Sequence, residues 1–245
     1  MKPYVLITGA SSGVGRVLAK ELAQDYNLVL AGRNKKALEQ TAEECKSETL
    51  YWEQDLSNLE NLEKNLTDLI RIQELSISKF VHCAGDMKMM PCKMFNAETF
   101  EKTFAVNVFS AALIVKVLTS RKINKKALNS AVFISSNISN RGAKTFGVYG
   151  SSKAALDGLM RNLAVELAPQ VRVNSILPGA MRTKMTEKIF EDAAMQERMQ
   201  QNYPMGIGTP EQLTGMVRLL LSDRAEWVTG QQFVIDGGRT IDVTD

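Results

Sequence analysis

The chain has 245 residues, 44% hydrophobic and 23% charged, with a formal net charge of +3. That length suits a single soluble α/β domain, 1–245, and so mild a charge gives no case for nucleic acid or an anionic membrane as the main partner. Cys45, Cys83 and Cys92 show no paired spacing and His82 is the lone histidine, which argues for free thiols in a reducing, cytoplasmic setting and against any metal site built from Cys and His.

In chain order, a short apolar run at 4–8 predicts a strand, and an amphipathic stretch at 13–26 predicts a helix. Strands follow at 28–31, 50–53, 79–83, 131–135, 172–177 and 232–235, separated by helical patterns at 35–46, 59–72, 98–119, 148–167 and 210–221. Repeated strand–helix–strand units imply a Rossmann-like, doubly wound α/β fold: a mostly parallel seven-stranded sheet with helices on both faces. No apolar run has the length of a signal peptide's hydrophobic region or of a membrane span. The segment 182–208 breaks the rhythm and carries Met185, Met195, Met199 and Met205. Long insertions are often lids, and flexible methionines suit an apolar substrate pocket, although they equally suit packing of the insertion onto the body.

Two stretches carry chemistry. Between the first strand and first helix lies Thr8-Gly9-Ala10-Ser11-Ser12-Gly13-Val14-Gly15. Glycines permit a tight turn and close approach to a pyrophosphate, and the helix N-terminus offers unpaired N–H groups to that anion. No Gly-Lys-Ser/Thr ending follows, which argues against a P-loop nucleotidase. The second stretch is Tyr149-Gly150-Ser151-Ser152-Lys153, which places a phenol and an ammonium on one helix face. A fixed positive charge beside the phenol would lower its pKa toward the range that proton transfer near neutral pH requires.

Together, Thr-Gly-x-x-x-Gly-x-Gly and Tyr-x-x-x-Lys resemble the short-chain dehydrogenase/reductase family in its compact single-domain form, and the resemblance runs from Thr8 to Gly238. It implies a nicotinamide dinucleotide held by Gly9, Ser11, Ser12, Gly13, Val14 and Gly15. It also implies cofactor contacts from Asp55 and Leu56 at the adenine, from Ala84 and Gly85 as a close backbone wall, and from Pro178, Gly179, Met181 and Thr183 beside the nicotinamide. Where NAD-preferring members usually carry an acidic residue, this chain has Arg33 and Asn34, which favours NADP(H) over NAD(H); Ser12, where many NADP-dependent relatives are basic, counts the other way.

The same resemblance assigns Ser136, rather than Ser135 or Ser139, to polarise a substrate carbonyl. Tyr149 would exchange the proton, Lys153 would lower the tyrosine pKa and hold the nicotinamide ribose, and Asn107 would support a proton-relay water. His82-Cys83-Ala84-Gly85 replaces the family's Asn-Asn-Ala-Gly, which puts the usual sheet-stabilising hydrogen bonds in doubt and makes His82 an expected buried, satisfied histidine. The implied activity interconverts a small-molecule ketone and a secondary alcohol. A homodimer or homotetramer is expected, as helices like those carrying Asn107 and Tyr149 commonly pair subunits in the family.

Overall fold

The computed structural model describes residues 2–191 and 193–242. Seven strands form one sheet: β1 (Tyr4–Thr8), β2 (Asn27–Gly32), β3 (Thr49–Glu53), β4 (Ile77–His82), β5 (Ser130–Ile134), β6 (Arg172–Pro178) and β7 (Gln232–Ile235). Their order is β3-β2-β1-β4-β5-β6-β7, and every pairing is parallel rather than mostly so. The strands β1, β2 and β5 are rich in Val, Ile and Leu and, Tyr4 apart, buried because helices cover both faces.

On one face α1 (Gly13–Leu22), α2 (Lys35–Glu43) and α10 (Thr214–Leu221) bury Leu18, Leu22, Leu38, Val217 and Leu220 against Val5, Ile7, Leu28 and Leu30. On the other, α3 (Leu62–Ile72), α5 (Ser110–Thr119) and α7 (Gly147–Glu166) bury Leu66, Ile70, Ile114, Leu118, Leu156 and Met160 against Leu6, Phe80 and Phe133. The strand order reverses between β1 and β4. In open α/β sheets ligands bind at such a switch point, beyond the carboxyl ends of the strands.

Two sequence expectations change. The helical pattern at 98–119 is α4 (Ala97–Phe104) joined to α5 through a π-helical turn, Ala105–Phe109, with Asn107 at its centre. This continuous stretch, Ala97–Thr119, is 23 residues long and apolar enough to cross a membrane by length and composition. The reading that no run reaches a span is therefore amended. Over half of its apolar window is buried inside the fold, which accounts for the composition. The insertion at 182–208 contains α8 (Glu187–Phe190) and α9 (Ala193–Gln201). Met185 and Met205 are exposed, and the Met195 side chain lies outside the described residues. The short helix α6 (Arg121–Asn124) and the left-handed Lys125 and Lys126 that follow it form the basic connector before β5.

Candidate active site

The turn after β1 is built from backbone. Gly9 and Gly13 take φ of +68° and +52°. A Cβ on Gly15 would fall 2.4 Å from the Gly9 carbonyl oxygen, so no other residue fits without moving main chain. Ser12 occupies the N-cap of α1 but makes no side-chain capping bond, leaving the first-turn amides without the usual side-chain acceptor. Thr183 closes over this turn: its Cβ lies 3.6 Å from where a Gly13 Cβ would stand. An anionic diphosphate fits this cradle by shape and dipole.

Beyond β2, Ser11 Oγ lies 3.3 Å from where a Gly32 Cβ would stand. Arg33 is exposed at the strand end, whereas Asn34 caps α2 through Oδ1, accepting the Ala37 amide at 3.1 Å. Asp55 accepts from Ser57 N and Oγ at 2.9 and 2.8 Å. Burial pushes its carboxyl up, but the two Ser57 bonds and the charges of Arg33 and Lys102 outweigh it and hold the group below its ordinary value. Leu56 turns its side chain into the core, so only its backbone remains for a ligand.

Above the ends of β4 and β5 four polar side chains converge. Tyr149 and Lys153 lie one turn apart on α7, both buried, with Nζ 5.8 Å from the phenol ring centroid. Nζ donates to the Ile134 carbonyl at 2.8 Å. Ser136 caps the short turn Asn137–Asn140, its Oγ accepting from Ile138 N at 3.3 Å, and the same hydroxyl faces Tyr149. Asn107 is fully buried: Oδ1 accepts the Asp86 amide at 2.7 Å, and Nδ2 donates to the Asp86 carbonyl at 3.1 Å and to Ser152 Oγ at 2.8 Å. Ser152 in turn donates to the Tyr149 carbonyl at 2.7 Å. Gly85 forms the floor, since a Cβ there would lie 3.7 Å from Lys153 Nζ, 3.8 Å from Asn107 Oδ1 and 3.6 Å from Met185 Cε. The tip of one insertion methionine thus reaches this cluster.

The electrostatics correct one expectation. Burial pushes the Tyr149 phenol up to about 12 rather than down, with the Ser136 hydroxyl offsetting part of the rise. The ammonium is engaged by Ile134 and is itself pulled down to about 8 by burial, with Asp157 and Cys83 opposing.

His82 corrects another. It is fully buried among Phe80 and Phe133. Thr8 Oγ1 accepts the amides of Cys83 and Ala84 at 3.1 and 3.2 Å, which leaves its single proton for His82 Nδ1 at 2.9 Å. The ring proton is therefore assigned to Nε2, which has no partner of ordinary geometry among the described residues. The histidine is half satisfied, not fully. Thr8 supplies the β1–β4 contacts that were in doubt. Burial first, then the Lys153 charge, hold the imidazole down at about 3, while the backbone of Asn107 and Val106 opposes.

Pro178 ends β6, Gly179 and Met181 lie in the turn after it, and the hydroxyl of Tyr203, from the insertion, accepts the Ala180 amide at 2.9 Å. Sequence reasoning missed Tyr203, Ser152 and Asp86. Only Ser152 carried a local hint, being the residue before Lys153 on a helix whose polar face was already in use.

A family model described as enoyl-(acyl carrier protein) reductase matches residues 9–240. Bovine dehydrogenase/reductase SDR family member 4 is 30% identical, over 95% of this chain and 85% of its own length. Bovine L-xylulose reductase is also 30% identical, over 95% of this chain and 94% of its own. Among solved structures, 4-hydroxyisoleucine dehydrogenase complexed with NADH superposes with a TM-score of 0.91 at 28% identity, covering 98% of this chain and all of that one.

Proposed function

The chain belongs to the short-chain dehydrogenase/reductase family of oxidoreductases, and from that premise we propose that it interconverts a ketone and a secondary alcohol with NADP(H). The observation that carries this reading is the convergence of Asn107, Ser136, Tyr149 and Lys153 around Gly85, next to the glycine turn. The dinucleotide supplies the hydride; the chain supplies position and protons.

In this reading the α1 amides and Thr183 seat the diphosphate. Gly9, Ser11, Ser12, Gly13, Val14, Gly15, Asp55, Leu56, Ala84, Gly85, Pro178, Gly179 and Met181 line the rest, largely through backbone. Ser136 Oγ donates to the substrate oxygen. Tyr149 Oη gives up its proton to the alkoxide or takes one from the alcohol, and Lys153 Nζ steadies the resulting phenolate. Asn107 holds the loop at Asp86 and the helix at Ser152 so that this geometry persists. The insertion at 182–208 acts as a substrate lid, pinned through Tyr203 and touching the site through Met185.

Preference for NADP(H) rests on Arg33, exposed and free of an acidic residue in 32–34, where a guanidinium can pair with a 2′-phosphate. A second reading, NAD(H) preference, is favoured by the neutral Ser12 and by the NADH bound to 4-hydroxyisoleucine dehydrogenase. Three free thiols suit a cytoplasmic setting, and exposed Phe95, Phe109 and Trp227 suit a homodimer or homotetramer. A panel of carbonyls and alcohols assayed by nicotinamide absorbance tests the activity, and fluorescence titration of NADPH against NADH tests the cofactor. Tighter NADH binding would overturn the role given to Arg33.

A further inference from the structure

One buried ionisable group on α7 has no part in the chemistry above. Asp157 is 2% exposed, and neither of its carboxylate oxygens has a hydrogen-bond partner among the described residues. A carboxylate this deep is seldom left unpaired, because desolvation penalises the charged form. Four residues earlier on the same helix face stands Lys153, 3% exposed, which places the two Cβ atoms roughly 5–6 Å apart. The side chains stop short of an ion pair, since Nζ is turned toward the Ile134 carbonyl. Both groups are buried, however, so the two charges interact far more strongly than a surface pair would.

We infer that Asp157 is a positioning residue, the buried counter-charge that keeps Lys153 an ammonium and so sets the pH range over which Tyr149 works. The inference rests on the role proposed for Lys153. The other groups around that ammonium leave the task to Asp157. From the end of β4 comes His82, held neutral, and just beyond it Cys83, whose thiol burial pushes up to about 12. From the end of β5 come the neutral hydroxyls of Ser135 and Ser136, and from the π turn the amide of Asn107. Tyr149 shares α7, and the Asp86 carboxylate is turned onto Thr103 Oγ1 at 3.0 Å. Burial draws Lys153 down, and the first influence opposing it is the charge of Asp157.

The sign follows. Removing the carboxylate lowers the lysine pKa further, so activity that needs the ammonium fades at a lower pH. In Asp157→Asn the alkaline limb of kcat/KM is expected about one pH unit or more lower, an approximately tenfold loss at the pH of the wild-type limb and little loss below neutrality. Asp157→Glu should restore most of it. A merely structural role would instead lower activity equally at every pH, and that result would overturn the proposal. Lysine ε-carbon NMR on the full chain, with Lys153→Arg identifying the resonance, measures the same pKa without any substrate. A Lys153 pKa unchanged in Asp157→Asn defeats the inference even if the oxidoreductase reading stands. A shifted pKa in a chain that turns over no carbonyl or alcohol upholds it and defeats that reading instead. Should Asp157→Asn fail to fold, infrared spectra of wild type and Asp157→Glu decide: a protonated carboxylic acid band at neutral pH that moves between the two would refute a charged Asp157, and its absence would support one.

Discussion

The turn after β1 and the cluster above β5 lie side by side but are made of different material. The turn works through main chain: glycines at positive φ, a helix N-terminus without a side-chain cap, and a Gly15 with no room for a methyl group. The cluster works through side chains drawn from the π turn, the end of β5 and α7, with Asn107 and Lys153 held by bonds to distant residues. A main-chain site fails when volume is added. A side-chain site fails when one atom is removed, often with the fold intact.

Four experiments separate the two regions. Tyr149→Phe deletes one oxygen, and turnover should fall by about 10²–10⁴ while dinucleotide affinity stays within roughly twofold, measured by absorbance and fluorescence titration. Retained turnover would sink the proton-transfer assignment. The second probes the joint between the regions, His82, which touches Thr8 on one side and nears the π turn on the other. Its folded-state pKa is lowered from 6.5 to about 3, so the unfolded chain binds the extra proton between those values. The stability it contributes is present above pH 6.5 and is lost as pH falls toward 3, on the order of a few kcal/mol. Denaturant melts across that range should be steeper in wild type than in His82→Gln. Because the chain has a single histidine, imidazole NMR should show one neutral ring protonated at Nε2.

Third, Gly15→Ala adds one methyl group against the Gly9 carbonyl and should cost about 1–3 kcal/mol of stability, with dinucleotide binding weakened at least in proportion. A variant that binds normally would mean that the turn does not seat the diphosphate. Smallest, Tyr203→Phe removes the acceptor of the Ala180 amide and should cost about 0.5–1.5 kcal/mol, appearing as a raised KM more than a lowered kcat if the insertion is a lid.

Much of this was readable from the chain alone, and for a local reason. Strand and helix patterns have periods of two and 3.6 residues, and the glycine turn is eight consecutive residues, so neighbours in sequence carry the signal. All seven strands fall within two residues of their expected starts, and Tyr149 and Lys153 share a helix as their spacing requires. The π turn at Asn107 was not readable, since its pattern continues that of the flanking helices.

Nor were the bonds of Asn107 to Ser152, 45 residues on, of Thr8 to His82, 74 residues on, or of Lys153 to Ile134. Chemistry changed most where burial did. Spacing alone made Tyr149 a phenol acidified by its lysine, whereas the packed interior raises the phenol, lowers the amine and leaves Asp157 as the unpaired carboxylate behind them. Residue types and their order determine which groups can meet; only the folded interior, by removing water, decides what charge each one carries when they do.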